Sequence, residues 1–534
     1  MSLSQRFNRA CLALLVALCA FGAEGTEAPK PVPPPPSGQV VMLAGGGPEG
    51  ALGDASAWSC ELYRSLLSNG DRNGDGKIRV AVLSMAPSPT AFIPEYFQWL
   101  GATEAFNLSV MSRTQAEDPA LVDALLGADA VFIKGGDQGA YYDTWKGTRL
   151  HRHLQELAAR GASFGGTSAG AMILAQFAFS GSKSMVSLHG LSDARTSYLD
   201  DASDGGSALH GDFLPLVTNA IIDTHFTTRA RLGRLIAILA KAREDLPNQP
   251  HLFGIGIEER TGLTLRGQVA HVLGVGSVSF LQPQPESTFI REAKRPLIAT
   301  NLRLDRLVHG WQFDLSTFSP DLQHVPASAM RVFPTLRKAS APLQLLLPGD
   351  QRRSEKHFEQ RAMYFSPGTP SDDFTLVPGD TPPLIQGAVG FMDAHQSNTN
   401  RYVDETAYRA LYERPSAAAF LVARESSLFC LAGLPNVVCF GANPTSGDAE
   451  ASTLVLDAST ITWKDLSPFP SNGTLHATGM VNLTIHALAE SPTRRLGFNL
   501  LARRPEKVSV PAPVRLLKPV QLEGTKPHRK FSRN

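Results

Sequence analysis

Residues 165–173 read GGTSAGAMI and set one hydroxyl, that of Ser168, between Gly166-Thr167 and Ala169-Gly170. The spacing G-x-S-x-G is what a sharp strand-to-helix corner requires, because a serine held there tolerates only tiny neighbours. Glycine and alanine also let backbones pack closely. Ser168 therefore reads as a nucleophile only if other strand ends supply a base and an acid to activate it.

Upstream of this corner, β-branched runs alternate with helical stretches: QVVMLAGGG, ASAWSCELYRSLL, KIRVAVLSM, PEYFQWLGA, ALVDALLGA, AVFIKGGDQ and RLHRHLQELAARGA. Strand and helix in alternation predict an α/β fold, a mostly parallel sheet with helices on both faces. Function in such sheets collects at the carboxyl ends of the strands, where the loops GGGPEG (45–50), GGDQ (135–138) and GGTSAG (165–170) all fall. Three Gly-rich corners side by side predict a cleft.

The totals bound the rest. A chain of 534 residues suggests two to four units at roughly 100 to 200 residues each. With 43% hydrophobic and 19% charged residues it has ample core material, and no apolar run approaches the roughly 18 residues of a membrane span. The balance of 50 basic against 49 acidic residues advertises no nucleic acid. At the N-terminus, Arg6 and Arg9 precede an apolar run from Ala10 to Gly22, which reads as a signal peptide over 1–22. A Pro-rich linker follows over 23–38, and the expected location is secreted or periplasmic. Without the leader, Cys60, Cys430 and Cys439 remain; the last two are close enough to pair in an oxidising compartment, and free buried thiols are the alternative.

One loop stands apart, SNGDRNGDGKIRV from Ser68 to Val80. Asp71, Asn73 and Asp75 at alternate positions, followed by Gly76, match the first half of a calcium loop. The twelfth position is Val82, so the bidentate acid is missing. The two readings are a structural calcium site and an Asn/Asp/Gly-rich turn that needs no ion.

The required base and acid lie downstream. NAIIDTHFTTRARLGRLIAIL (219–239) is an apolar strand ending in Asp223-Thr224-His225 and running into a helix with arginines at 229, 231 and 234. HLFGIGIEERTGLTL (251–265) is a second strand that delivers Glu258 and Glu259 before a turn. Nucleophile, base and acid thus fall in chain order, each near a strand end.

From residue 39 to 316, the GGDQ, GTSAGA, D-x-H-F-x-x-R-x-R-x-G-R-L and GIGIEE blocks resemble the serine peptidases that include cyanophycinase and the aspartyl dipeptidase peptidase E. The resemblance implies a flavodoxin-like sheet of the class I glutamine amidotransferase type carrying a Ser168, His225, Glu259 triad. It implies oxyanion amides at Gly136 and Ala169 and a pocket lined by Gln138. Asp223, Thr224, Arg229, Arg231 and Arg234 match positions that shape the substrate pocket, where arginine forks suit carboxylates and an aspartate suits a guanidinium. Solvated helix-face arginines are the plainer alternative.

The chain departs from the family pattern in three places. Thr224 replaces a glutamine, an acidic insertion SYLDDASDGGSALHGD (197–212) lies between Ser168 and His225, and Glu258 competes with Glu259 as the triad acid. The implied activity is hydrolysis of multi-L-arginyl-poly-L-aspartate to β-Asp-Arg dipeptides. The alternatives are an aspartyl or isoaspartyl dipeptidase, or an exported binding protein with a blunted site. The implied assembly is a homodimer, with no cofactor for catalysis.

Residues 317–534 form a β-rich C-terminal region with a basic tail over 515–534. VNLTIHALAESPTRRLGFNL (481–500) follows the pattern of NLRLDRLVHGWQFDL (301–315), VGFMDAHQ (389–396) echoes NAIIDTHF, and VARESSLFCLAG (422–433) echoes GIEERTGLTLRG. These echoes suggest a degenerate copy of the domain's second half over 340–534, with coincidence among short β patterns as the alternative. The region has no G-x-S-x-G and no arginine helix, so a single active site is expected.

Overall fold

The computed structural model describes residues 38–181, 183–201 and 206–333, then stretches of the C-terminal region at 344–348, 390–393, 408–409, 411–412, 418–421, 428–433, 436–441, 452–471, 475–491, 494–499 and 503–507. The signal peptide, most of the linker and the basic tail expected from the sequence lie outside these residues.

The first sheet begins with β1 (Val40–Ala44), β2 (Arg79–Ser84), β3 (Glu104–Ser109), β4 (Ala130–Ile133) and β5 (Ser163–Thr167), ordered β1-β5-β4-β2-β3 and parallel throughout. Period-two alternation in these strands feeds two cores. Met42, Ala44, Val80, Val82 and Phe132 pack on helices α1 (Trp58–Ser65) and α2 (Phe92–Leu100). Val41, Leu43, Ala81, Leu83 and Ile133 face the opposite way, onto Tyr141 and Trp145 of α3 (Gln138–Trp145) and Leu150, Leu154 and Leu157 of α4 (Arg149–Ala159). The helices therefore cover both faces, as the alternation predicts.

After Ser168 a short helix α5 (Ala169–Met172) leads away, and the chain then starts a second sheet with β6 (Ala220–Thr224), helix α6 (Leu232–Asp245) and β7 (Phe253–Ile257), which lies parallel to β6. At Arg260, φ is 53° and the chain turns back into the first sheet. There β8 (Thr261–Arg266) and β9 (Val269–Gly274) form a hairpin, with β8 antiparallel to β1. The long strands β10 (Ser277–Ile290) and β11 (Ile298–Val308) return to the second sheet, and β12 (Gln312–Asp314) rejoins the first beside β9.

The C-terminal strands include β13 (Gln344–Pro348), β14 (Gly390–Asp393), β15 (Ala418–Leu421), β16 (Leu428–Gly433), β17 (Asn436–Gly441), β18 (Thr453–Asp457), β19 (Leu475–Leu488) and β20 (Arg494–Asn499). They do not stand apart from the strands upstream. The second sheet runs β14-β15-β18-β19-β11-β10-β7-β6, so the C-terminal region extends the sheet that carries Asp223 and the strand before Glu258. Strands β13, β16, β17 and β20 make a separate antiparallel sheet. Its register sets Cys430 opposite Cys439, although their side chains lie outside the described ones.

Candidate active site

Ser168 occupies the turn between β5 and α5 with φ 52° and ψ −121°, a backbone region that a side-chain-bearing residue rarely adopts. Its surroundings explain the glycines. A β-carbon at Gly166 would lie 2.7 Å from the Ala171 nitrogen, and one at Gly170 would lie 2.6 Å from the Lys134 carbonyl oxygen. The Ser168 N–H donates to the Ala44 carbonyl at 2.9 Å, which ties the corner to the end of β1. Thr167 and Ala169 are buried while Ser168 keeps partial exposure, so the hydroxyl is the group presented to solvent.

The base comes from the other sheet. His225, one residue past β6, has φ 49°, and its N–H donates to the Gly45 carbonyl at 3.0 Å. Its Nε2 lies 2.8 Å from Ser168 Oγ, and its Nδ1 lies 2.6 Å from Glu259 Oε1. The sequence places all three residues near strand ends, and the structure brings them together across the seam between two sheets. The loop GGGPEG seals that seam. A β-carbon at Gly45 would lie 2.6 Å from the Ile257 carbonyl oxygen, one at Gly46 would meet the His225 ring, and one at Gly47 would stand 3.4 Å from Glu259 Cβ.

The two adjacent glutamates take different jobs, because successive residues leaving a strand face opposite ways. Glu259 reaches the imidazole. Its carboxyl is held below the ordinary value by the hydrogen bond from His225, with the charges of Arg229 and Arg260 adding to that effect against partial burial. Glu258 turns inward and is buried. It accepts from the N–H of Thr227, the N–H of Thr228 at 2.9 Å, the Thr228 hydroxyl and the Glu259 N–H at 2.7 Å. Glu258 thereby holds the turn that immediately follows His225, a role the sequence reading missed. The signal available was the Thr227-Thr228 pair beside the histidine.

The remaining candidates separate into two groups. Gly136 is exposed and Ala169 opens α5, and among the described residues neither N–H has a partner. Gly135 approaches the nucleophile more closely, since a β-carbon there would lie 3.3 Å from Ser168 Cβ. Tyr141 steadies this loop, its hydroxyl lying 3.0 Å from the carbonyls of Lys134 and Gly135. Gln138 is half-buried at the start of α3, against Gly181. Arg229 is exposed and close enough to Glu259 to influence its ionisation.

Asp223, Thr224 and Arg234 differ from the expectation of a substrate pocket. Asp223 is 1% exposed and accepts from Arg234 Nε at 2.8 Å, from a second Arg234 nitrogen, and from Arg231 Nη1 at 3.1 Å. Burial opposes its ionisation, yet the two guanidiniums hold its carboxyl below the usual range. With Arg234 at 4% exposure and Thr224 at 0%, this is an internal ion cluster. Arg231 belongs to it as well, since it also donates to the Thr224 carbonyl at 2.7 Å. Asp223, Thr224 and Arg234 are enclosed by this cluster, while Arg231 keeps 14% of its side chain exposed.

The acidic insertion lies beside α3. His210 stacks on Tyr142 with ring centroids 3.9 Å apart, and the Tyr142 hydroxyl donates to Asp212 at 2.9 Å. In the loop over 71–76, Asp71 accepts from the N–H groups of Gly74 and Gly76 at 2.7 Å each, and Asn73 Oδ1 accepts from the backbone N–H of Asp75 at 3.0 Å. Asp75 itself pairs with Arg79, so a cation already engages one of the three oxygen donors. Among the described residues no group of three or more His, Cys, Asp or Glu is arranged to hold a metal, and no helix is long and apolar enough to cross a membrane.

A serine hydroxyl on a strained corner, hydrogen-bonded to an imidazole that is itself bonded to a carboxylate, defines a serine hydrolase type of site. Comparisons narrow the class. Residues 84–273 match Peptidase family S51. A cyanophycinase from Geminocystis herdmanii is 30% identical over 252 residues, spanning 45% of this chain and 85% of its own length. A cyanophycinase from a Nostoc species is 29% identical over 265 residues, spanning 48% and 80%. The crystal structure of a peptidase from an acI-B1 actinobacterium aligns over 52% of this chain and 96% of its own, with 22% identity and a TM-score of 0.34. The chain belongs to peptidase family S51 and is a serine-type peptidase.

Proposed function

We propose that the protein is an exported cyanophycinase-type enzyme that cleaves the polyaspartate backbone of multi-L-arginyl-poly-L-aspartate and releases β-Asp-Arg dipeptides. The observation that carries this reading is the hydrogen-bond chain from Ser168 through His225 to Glu259, together with relatives named as cyanophycinases. Ser168 Oγ attacks the scissile carbonyl carbon while His225 Nε2 takes its proton. Glu259 holds the imidazole by Nδ1 and stabilises the charged ring that forms. The tetrahedral oxyanion is received by the N–H groups of Ala169 and Gly136, and such a donor contributes roughly 3 to 4 kcal/mol. The imidazolium then protonates the leaving amine, and a water activated by His225 opens the acyl-enzyme. Arg229, an exposed arginine whose charge reaches Glu259, is the cation placed to meet a substrate carboxylate. No catalytic metal enters this scheme.

The test is to incubate the purified chain and a Ser168→Ala control with insoluble polymer and to follow soluble products by mass spectrometry. Release of β-Asp-Arg by the wild type alone is the expected result. Clearance of short isoaspartyl peptides without attack on the polymer would move the enzyme to the dipeptidase reading. A chain that fails on both and is not labelled by a fluorophosphonate would be a binding protein. Fractionation of the producing cells, with the N-terminus sequenced on the recovered protein, tests export.

A further inference from the structure

The pairing of β11 with β19 has an internal symmetry. The Asn301 N–H donates to Nδ1 of His486 at 3.0 Å, and the Asn482 N–H donates to Oδ1 of Asp305 at 2.8 Å. One constant offset in numbering carries Asn301 to Asn482, Leu302 to Leu483, Arg303 to Thr484, Leu304 to Ile485 and Asp305 to His486. Under that offset the first hydrogen bond becomes the second. The ladder obeys the same rule: Leu302 faces Ile485 and Leu304 faces Leu483, each pair converting into the other, while Arg303 faces its own equivalent, Thr484. Both asparagines also share a left-handed backbone, with φ 57° and 67°. Contacts in which i meets j and the equivalent of i meets the equivalent of j in reverse are the signature of a two-fold, isologous interface.

The strands on either side extend the relation. Outward from β11 the order is β10, β7, β6, with the first two junctions antiparallel and the last parallel. Outward from β19 the order is β18, β15, β14, with the same sequence of orientations. The run β1-β8-β9-β12 is likewise matched by β13-β16-β17-β20, antiparallel at every step. What differs is the cargo. Residues 45–219 lie between β1 and β6 and include the nucleophile corner, whereas only 349–389 lie between β13 and β14.

We propose that the described strands within residues 344–507 are a second copy of this domain's strand framework, without a counterpart of the nucleophile corner among them. In this proposal β11 and β19 make, within one chain, the two-fold contact by which two such domains pair, so that the chain carries its own partner subunit and works as a monomer. The partner copy is linked to the site through one side chain of the first copy. Arg306 on β11 donates to the Thr478 carbonyl at 2.7 Å and hydroxyl at 2.8 Å on β19, and its other terminal nitrogen lies 3.5 Å from the hydroxyl of Thr227, in the turn that Glu258 holds after His225. Through Arg306 the second copy thus connects to the turn that follows the base. This inference does not depend on the substrate.

Sedimentation equilibrium of the full chain, 57.4 kDa before any leader is removed, should give a single-chain mass at every concentration. A site-specific protease sequence placed between residues 334 and 343 then allows the folded protein to be nicked. The two fragments should stay together as one particle under native conditions. Leu302→Ala and Leu483→Ala, equivalent across the axis, should speed their separation by similar factors of about tenfold or more. Leu265→Ala in the first sheet should leave separation unchanged. If either interface variant fails to fold, Ile485→Val provides a milder change with the same direction. A stable two-chain mass, fragments that part without any substitution, or interface variants that leave separation unchanged would each overturn the proposal.

Discussion

The α-carbon of Gly46 lies so close to the His225 imidazole that a β-carbon there would stand 2.7 Å from Nε2, the nitrogen that faces Ser168. Gly46 has φ 100°, so any side chain would also strain the backbone. Gly46→Ala must therefore push the ring off the serine. The expected result is a fall in turnover of about 10²-fold or more, since a misplacement near 1 Å costs that much. Turnover measured beside a thermal melt checks it: the melt should move far less than the rate.

Glu259 and Glu258 predict opposite kinds of damage. Glu259 bonds the imidazole from a partly exposed position, so Glu259→Gln should lower turnover by roughly 10⁴-fold, the loss expected when the orienting acid of a Ser-His pair becomes an amide. Its denaturation midpoint should stay near that of the wild type. Glu258 is buried and accepts four hydrogen bonds, two of them from backbone N–H groups of the Thr227-Thr228 turn. In Glu258→Gln an amide NH₂ must face these donors, and the expected cost is about 1–3 kcal/mol of stability for each donor left unpaired. Chemical denaturation alongside turnover separates the two effects.

The arginines after His225 divide by burial. Arg229 is exposed, so Arg229→Ala should raise KM for a substrate bearing carboxylates and leave the melting temperature in place. Arg234 is buried around Asp223. Arg234→Ala would strand a buried carboxylate with Arg231 as its remaining ion-pair partner, a loss of about 3–5 kcal/mol, and soluble yield should fall with it. Michaelis kinetics on the first variant and a melt on the second provide the measurements.

These contrasts show what the sequence could and could not reveal. The parallel sheet was legible because its strands are short apolar runs separated by amphipathic helices, and β1 through β5 follow that pattern. Ser168, His225 and Glu259 could be picked out because chemistry limits which residue types can serve and strand ends limit where they sit. Depth was not legible. R-x-R-x-x-R after a histidine reads equally as a pocket or as a helix face, and neither reading foresees Arg231 and Arg234 turning inward onto Asp223. Nor does any local pattern announce that Arg260 turns the chain from one sheet to another, since that corner depends on close contact between Gly45 and the end of β7. The echoes between the two halves were visible as strings, but the reciprocal bonds of Asn301 and Asn482 require strand pairing to be seen.

Asp305 and His486, equivalent across the β11–β19 axis, predict opposing pH dependences. Burial raises the Asp305 carboxyl from 3.8 to about 6, although Arg303, the Asn482 N–H and Gln282 favour its charged form. Between those values the folded chain keeps a proton that the unfolded chain releases, so this contribution is full below about pH 4 and is lost as pH rises through about 6. Burial lowers the His486 imidazole from 6.5 to about 4. Here the unfolded chain binds the extra proton, so stability is full above about pH 6.5 and falls as the medium acidifies. Each separation corresponds to roughly 3 kcal/mol, and in the wild type the two slopes largely cancel between about pH 4 and 6. Asp305→Asn keeps an acceptor for the Asn482 N–H and removes one slope, so its stability relative to wild type should climb by roughly 3 kcal/mol across that window. His486→Asn should show the reverse, losing about as much as pH rises. Denaturant melts of the three proteins at pH 4, 5 and 6 measure both differences, and parallel curves for all three would show that neither group titrates with folding.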